Sequence, residues 1–269
     1  MQQLAEKDLE LKEKQEELEA QRGMLSAALD EAMKYNESLT KTLEELKIRN
    51  SELERLLYHS SHSLRSPVTS MLGILNLMEA EKDLHLSSSY SNHMMSNAKR
   101  MLDVLNALST LYKLTTKDLH LSEINIDQTL RKVIDSQQAV AASNNVTLHY
   151  SMNDPAPMIS DPDLLTELVK QVVQNGIYFR NTNVAGLVQV VGKIDEGLLH
   201  LDILDDGDGI APEIEANIFD IFFRGSEKSG GSGLGLYIAR KICLLLGGSI
   251  SFSREYDKTT FSIELPTKY

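Results

Sequence analysis

A chain of 269 residues with 42% hydrophobic content has material for one large or two ordinary cores, which excludes general disorder. A net charge of −12 and an isoelectric point near 5.1 exclude the basic face that a general nucleic-acid binder displays. The lone Cys243 excludes an intramolecular disulfide and fits a reducing cytoplasm.

The start, "MQQLAEKDLELKEK", lacks the apolar centre of a signal peptide, and no run reaches the roughly eighteen apolar residues of a membrane span. The expected location is cytoplasmic, either alone or as the cytoplasmic part of a longer membrane-bound or soluble sensor. Leu4, Leu11, Leu18, Leu25, Ala32, Leu39, Leu46 and Leu53 then recur every seventh residue among Glu and Lys. Taken as d positions, they place Leu29, Asn36, Leu43, Asn50 and Leu57 at a, where Asn opposite Asn favours a parallel two-stranded coiled coil. Asp8, Gln15 and Arg22 are poor a residues, so the first three heptads are expected to be looser. Residues 1–57 are thus read as a coiled-coil helix that joins two chains into a homodimer.

The helical pattern runs on through "LLYHSSHSLRSPVTSMLGILNLM", where Pro67 removes one backbone hydrogen bond and predicts a bend. After the polar turn "EKDLHLSSS", a second helix is expected from about Ser88 to Tyr112, with Met94, Met95, Met101, Leu102, Leu105, Leu108 and Leu111 at helical spacing. Those methionines read as core filler. Two such helices per chain, doubled, make a four-helix bundle over residues 58–116.

Near Lys117 the pattern changes to α+β, which predicts a separate domain over residues 117–269. Helices are expected over Ile126 to Ser143, Asp161 to Phe179 and Leu234 to Leu246. Strands are expected over Val146 to Met152, Val188 to Lys193, Leu198 to Asp205, Ser249 to Arg254 and Thr259 to Leu265. A mixed sheet covered by helices on one face accommodates this order.

Three segments of this domain carry chemistry. "LDILDDGDGIAPE" ends a strand at Asp205 and continues into Gly207 and Gly209, where a ligand can approach the backbone closely. "RGSEKSGGSGLGLYIARKI" sets Gly230, Gly231, Gly233 and Gly235 just before a helix, whose free N–H groups suit phosphate. It is neither a Walker loop nor a dinucleotide fingerprint. In "DPDLLTELVKQVVQNGIYFRN", Glu167, Gln171 and Asn175 lie four apart on one helix face, a row able to reach hydrated Mg²⁺ or simply to meet solvent.

Taken in order, these segments resemble bacterial-type sensor histidine kinases with an ATP-binding domain of the GHKL superfamily, from Leu56 to Pro266. "SHSLRSP" resembles the phosphoacceptor box, "ELVKQVVQNGIYF" the N box, "DDGDGI" the G1 box, "IFDIFFRG" the F box and "GGSGLGL" the G2 box. The resemblance implies that His62 accepts the γ-phosphoryl group of ATP, leaving ADP, and passes it to an aspartate of a response-regulator receiver domain. Ser63, Arg65 and Ser66 would flank that event, with Arg65 assisting phosphate placement, and Pro67 would bend the helix one turn below it. His59 falls outside the box and reads as a helix-surface residue. Asp205 would accept a hydrogen bond from the adenine amino group, with Gly207, Gly209 and Ile210 shaping the base pocket beside Tyr178 and Phe179. Asn175, with Glu167, would hold Mg²⁺. Phe219, Phe222, Phe223 and Arg224 would carry a mobile lid, and Gly231, Ser232, Gly233, Leu234 and Gly235 would line the triphosphate.

The chain departs from the family pattern at several of these positions. Ser63 stands where the family usually has Glu or Asp, the general base, and a hydroxyl orients a ring but does not readily remove a proton. Ser66 replaces the usual Thr or Asn tied to dephosphorylating the partner. Gln171, Gly176 and Tyr178 replace a common Asn, Ala and Lys, and the lid between Gly225 and Gly230 is short. An active kinase, a nucleotide-binding pseudokinase scaffold and a phosphatase-biased member all remain open. Other GHKL ATPases, such as type II topoisomerases or mismatch-repair proteins, lack the bundle and long coiled coil.

Overall fold

The computed structural model describes residues 2–80, 87–116, 118–181, 184–225, 231–255 and 258–268. The turn at 81–86, the boundary residue Lys117, the lid residues 226–230 including Gly230, and the side chains of Leu4 and Leu11 lie outside the described residues. The chain divides into two units, Met1–Leu57 and Tyr58–Tyr269.

The first unit lies on helix α1 (Gln2–Ala80). Its seam side chains Leu18, Leu25, Leu29, Leu39, Leu43, Leu46, Leu53 and Leu57 are each more than half exposed. A single chain therefore leaves this apolar row uncovered. Among the described residues, no helix is long and apolar enough to cross a membrane.

The second unit opens with the rest of α1, whose helical assignment continues through the buried Pro67. Helix α2 (Ser87–Thr116) follows, and Asn97 Nδ2 donates to Ser70 Oγ at 3.2 Å between the two helices. α2 runs four residues past its expected end at Tyr112, and in that added turn the hydroxyls of Thr115 and Thr116 both donate back to the Tyr112 carbonyl.

The remainder is a layered α/β domain. Strands β2 (Val146–Asn153), β4 (Gly186–Asp195), β5 (Leu198–Asp205), β7 (Lys258–Pro266) and β6 (Ser249–Glu255) form one sheet in the order β2-β4-β5-β7-β6. β2 and β4 run parallel and the other neighbours antiparallel, which makes the sheet mixed. Alternation sends Val188, Val190, Leu199, Leu201, Ile203, Phe261, Ile263 and Leu265 inward. Helices α3 (Ile126–Ser143), α4 (Pro162–Tyr178) and α5 (Gly235–Leu245) meet them with Leu130, Val133, Leu165, Leu168, Val172, Ile238 and Ile242. The opposite face carries Gln189, Lys193, His200, Asp202 and Glu264 and is not buried.

Two features of this domain were not expected from sequence. β1 (Ser122–Asn125) and β3 (Pro157–Ser160) form a separate antiparallel pair, and a 3₁₀ turn spans Pro212–Asn217. Four-residue strands are too short to display a period-2 pattern.

Candidate nucleotide site and phosphoacceptor helix

The site is assembled where α4, the end of β5 and the start of α5 converge. α4 begins on the buried Asp161, whose carboxylate accepts the Asp163 and Leu164 N–H groups at 3.1 Å, with Pro162 at the first helical position. Burial of Leu164, Leu168 and Val172 leaves Glu167, Gln171 and Asn175 half-buried on another side of the helix. Glu167 is already engaged: it accepts from Lys170 Nζ at 3.3 Å and from Gln171 Nε2. Gly176 lets α4 settle on the sheet, since a Cβ there would stand 3.0 Å from Val188 Cγ2 and 3.2 Å from Asp205 Cβ.

Asp205 ends β5 on the inward face and is 6% exposed. Burial pushes its carboxyl up to about 6, against the opposing pull of the Gly207 N–H, while neighbouring Asp206 adds to the rise. The Gly207 N–H donates to Asp205 Oδ1 at 3.1 Å, and a Cβ on Gly207 would run into the Phe179 carbonyl oxygen. That same oxygen accepts the Asp208 N–H at 3.1 Å, tying the loop to the end of α4. Asp206 anchors the other side, where its Oδ1 accepts the Leu187 N–H at 2.7 Å. Gly209 takes φ +75° with the Arg254 guanidinium carbon 3.2 Å from where its Cβ would be, and Arg254 Nη1 donates to the Ile210 carbonyl at 3.4 Å. Sequence reading missed Arg254 because it lies 44 residues away on β6, in no motif.

At α5, the Leu234 side chain is fully buried and its N–H donates to Ser232 Oγ at 3.3 Å, so Leu234 offers a ligand no side-chain surface. No side chain caps this helix start. The first-turn N–H groups and the positive helix end are thus available to an anion. Gly235 abuts α4, since its Cβ would lie 2.9 Å from Gln171 Oε1. Gly233 takes φ +73°, and its Cβ would lie 2.7 Å from the Phe222 carbonyl carbon and 2.8 Å from the Phe223 oxygen. Phe222 itself sits at φ +59°, a costly conformation for an aromatic residue. Gly231 has nothing within 4 Å of its would-be Cβ, and Arg224 is exposed. Tyr178 and Phe179 are 54% and 38% exposed, enough to offer ring surface at the rim.

On α1, His62, Arg65 and Ser66 are exposed and Ser63 is half-buried. Among the described residues no carboxylate hydrogen-bonds His62. His59 differs from its expected role as a surface residue. It is half-buried, with its ring stacked on Phe222 at 5.8 Å between centroids and 28° between planes. A contact across 163 positions leaves no trace in local periodicity, which is why sequence reading missed it. α5 also meets α2, where Val104, Ala107 and Leu111 are buried.

Residues 160–269 match the family described as histidine kinase-, DNA gyrase B-, and HSP90-like ATPase. Over 260 aligned positions the chain is 27% identical to the signal transduction histidine-protein kinase BarA of Escherichia coli K12, covering 85% of this chain and 28% of BarA. The chain therefore spans well under half the length of that curated relative. Full-length ShkA, solved in complex with AMPPNP, superposes with a TM-score of 0.57 at 25% identity, over 79% of this chain and 45% of ShkA. The histidine kinase ThkA, solved with the response regulator TrrA, gives a TM-score of 0.68 at 20% identity, over 82% of this chain and 64% of that one, and shows the fold alone. Residues 160–269 thus resemble the histidine kinase-, DNA gyrase B-, and HSP90-like ATPase family, and the chain's similarity to histidine kinases extends beyond that segment.

Proposed function

We propose that this chain is the kinase core of a two-component sensor: it uses ATP to phosphorylate His62 and passes the group to an aspartate on a response-regulator receiver domain. The observation that carries this is an exposed histidine on a helical hairpin in the same unit as a matched ATPase domain. The divisions are residues 1–57 as coiled coil, 58–116 as dimerisation and phosphoacceptor hairpin, and 117–269 as ATP-binding domain. Two chains pair through the coiled coil and hairpin, in the cytoplasm. ShkA binds AMPPNP and ThkA binds TrrA, which supports ATP and a receiver as this chain's ligand and partner.

Adenine fits at Asp205, whose carboxylate accepts its amino group, while Gly207 and Gly209 let the loop pack against the Phe179 carbonyl and the Arg254 guanidinium beside it. Ile210, Tyr178 and Phe179 border the base. Ser232, Gly233 and Gly235 present N–H groups to the phosphates with Gly231 beside them, Leu234 supports this loop from within the core, and Phe222 with Arg224 flanks it. Among the described residues no cluster of three or more His, Cys, Asp or Glu gathers to hold a metal. Mg²⁺ fits instead as an ion carried by the phosphates, with Asn175 as its amide oxygen donor and Glu167 as the nearby carboxylate. When bound, it supplies charge neutralisation at the transferring phosphoryl group.

The step itself needs an in-line nucleophile more than covalent machinery. A lone pair on a neutral His62 ring nitrogen forms the N–P bond, the bond to the β,γ-bridging oxygen breaks, and ADP leaves with those electrons. The ring proton passes to solvent unless a base takes it. Ser63 cannot serve well as that base, and general-base catalysis contributes about 10²–10⁴-fold. Ser63 favours a second reading, a nucleotide-binding scaffold or phosphatase-biased member. Incubation with Mg²⁺ and γ-labelled ATP separates them. Acid-labile label on the wild type and none on His62→Ala supports the kinase. Nucleotide binding without label, with label appearing on Ser63→Glu, supports the second reading.

A further inference from the structure

We propose that His59 is a positioning residue that latches the ATPase domain to the phosphoacceptor helix through Phe222, in an arrangement that leaves His62 open. This inference rests on the kinase reading for its effect on rate, but not for the contact itself. His59 lies one helical turn before His62, and residues three apart on a helix are surface neighbours. Its ring stacks on Phe222 on one side and meets Tyr58 edge-on, at 5.3 Å and 85°, on the other. Ser60, the next residue, is 8% exposed, whereas His62 is exposed. The domain thus grips α1 one turn short of the nucleophile.

Phe222 is well placed to transmit this grip. Its positive φ is retained only where surroundings enforce it. Behind it, the Gly233 Cα lies so close to the Phe222–Phe223 backbone that a Cβ would collide. Gly233 belongs to the loop that meets phosphate. A change at His59 therefore reaches the nucleotide site through two contacts, and bound nucleotide reaches the helix by the same route. Freeing Phe222 releases the domain to move toward His62.

The test uses the full chain, which contains no tryptophan, so Phe222→Trp installs a single fluorescent reporter. Acrylamide quenching of that indole should rise when His59→Ala is added and stay low with His59→Phe, which keeps a ring. Separately, with native Phe222, His59→Ala should raise the initial rate of acid-labile labelling from Mg²⁺ and γ-labelled ATP by about two- to thirteen-fold, the worth of one aromatic pair. His59→Phe, which keeps the ring contact, should hold the wild-type rate, and the gain in rate with His59→Ala is one that mere loss of structural support does not give. Equal quenching with and without His59, or a labelling rate that falls in His59→Ala, overturns the latch. If the wild type takes no label, the kinase reading fails while quenching still decides the contact.

Discussion

Replacing Asp205 with Asn should stabilise the nucleotide-free protein while weakening its hold on adenine. The buried carboxyl titrates near 6 when folded, against 3.8 unfolded. The native state therefore holds its proton to higher pH, and rising pH through that window favours unfolding. The shift of about two units corresponds to a penalty of at most about 3 kcal/mol, absent below pH 4 and fully imposed above pH 6. Asn mimics the neutral acid at every pH and can still accept the Gly207 N–H. Melting curves at pH 4 should coincide for the two proteins. At pH 8 the Asp205→Asn protein should melt roughly 6–12 °C higher. ADP titrations should show binding at least about tenfold weaker, since a charged acceptor outperforms a neutral one. An Asn variant that melts no higher than wild type at pH 8 would refute the claim that this carboxylate is kept charged at a cost.

Gly233→Ala should cost about 1–3 kcal/mol in urea unfolding, from its positive φ and the collision with Phe222, whereas Gly231→Ala, in open space, should move stability by less than about 0.5 kcal/mol. Equal effects at the two glycines would contradict the packing described. Cys243 is fully buried, with its thiol pushed up to about 12 by burial; a maleimide at pH 8 should leave the native chain unlabelled and react fully in urea, and rapid native labelling would contradict that burial. Leu39→Asp with Leu46→Asp should shift the full chain from dimer toward monomer in sedimentation, each leucine contributing about 1.5–3 kcal/mol when covered; an unchanged dimer would remove this seam from the interface.

The helices and main strands were legible because their signals are local. α3 spans Ile126–Ser143 as its periodicity predicts, and β5 runs from Leu198 to Asp205 as its alternation requires. Asp205 and the glycines are weak signals singly and stood out only because "DDGDGI" and "GGSGLGL" follow one another in the order of the G1 and G2 boxes they resemble. The remaining features depend on distant partners. β1 and β3 stabilise each other across more than thirty residues, each too short to announce itself. Arg254 and His59 acquire their roles only when β6 reaches the Gly209 turn and Phe222 reaches α1. Gly176 reads as a departure from a common Ala in sequence, yet in the fold it is the position that brings α4 against Val188 and Asp205.

The most direct test of the account is to locate the phosphate. Cleavage after Arg55 and Arg65 releases "LLYHSSHSLR", which contains both His59 and His62. Fragmentation of that peptide after reaction with ATP and Mg²⁺, kept at neutral to alkaline pH, should place the phosphoryl group on His62 alone. Phosphate on His59, or an unmodified peptide from a protein that consumes ATP, would contradict the assignment of His62 as the acceptor.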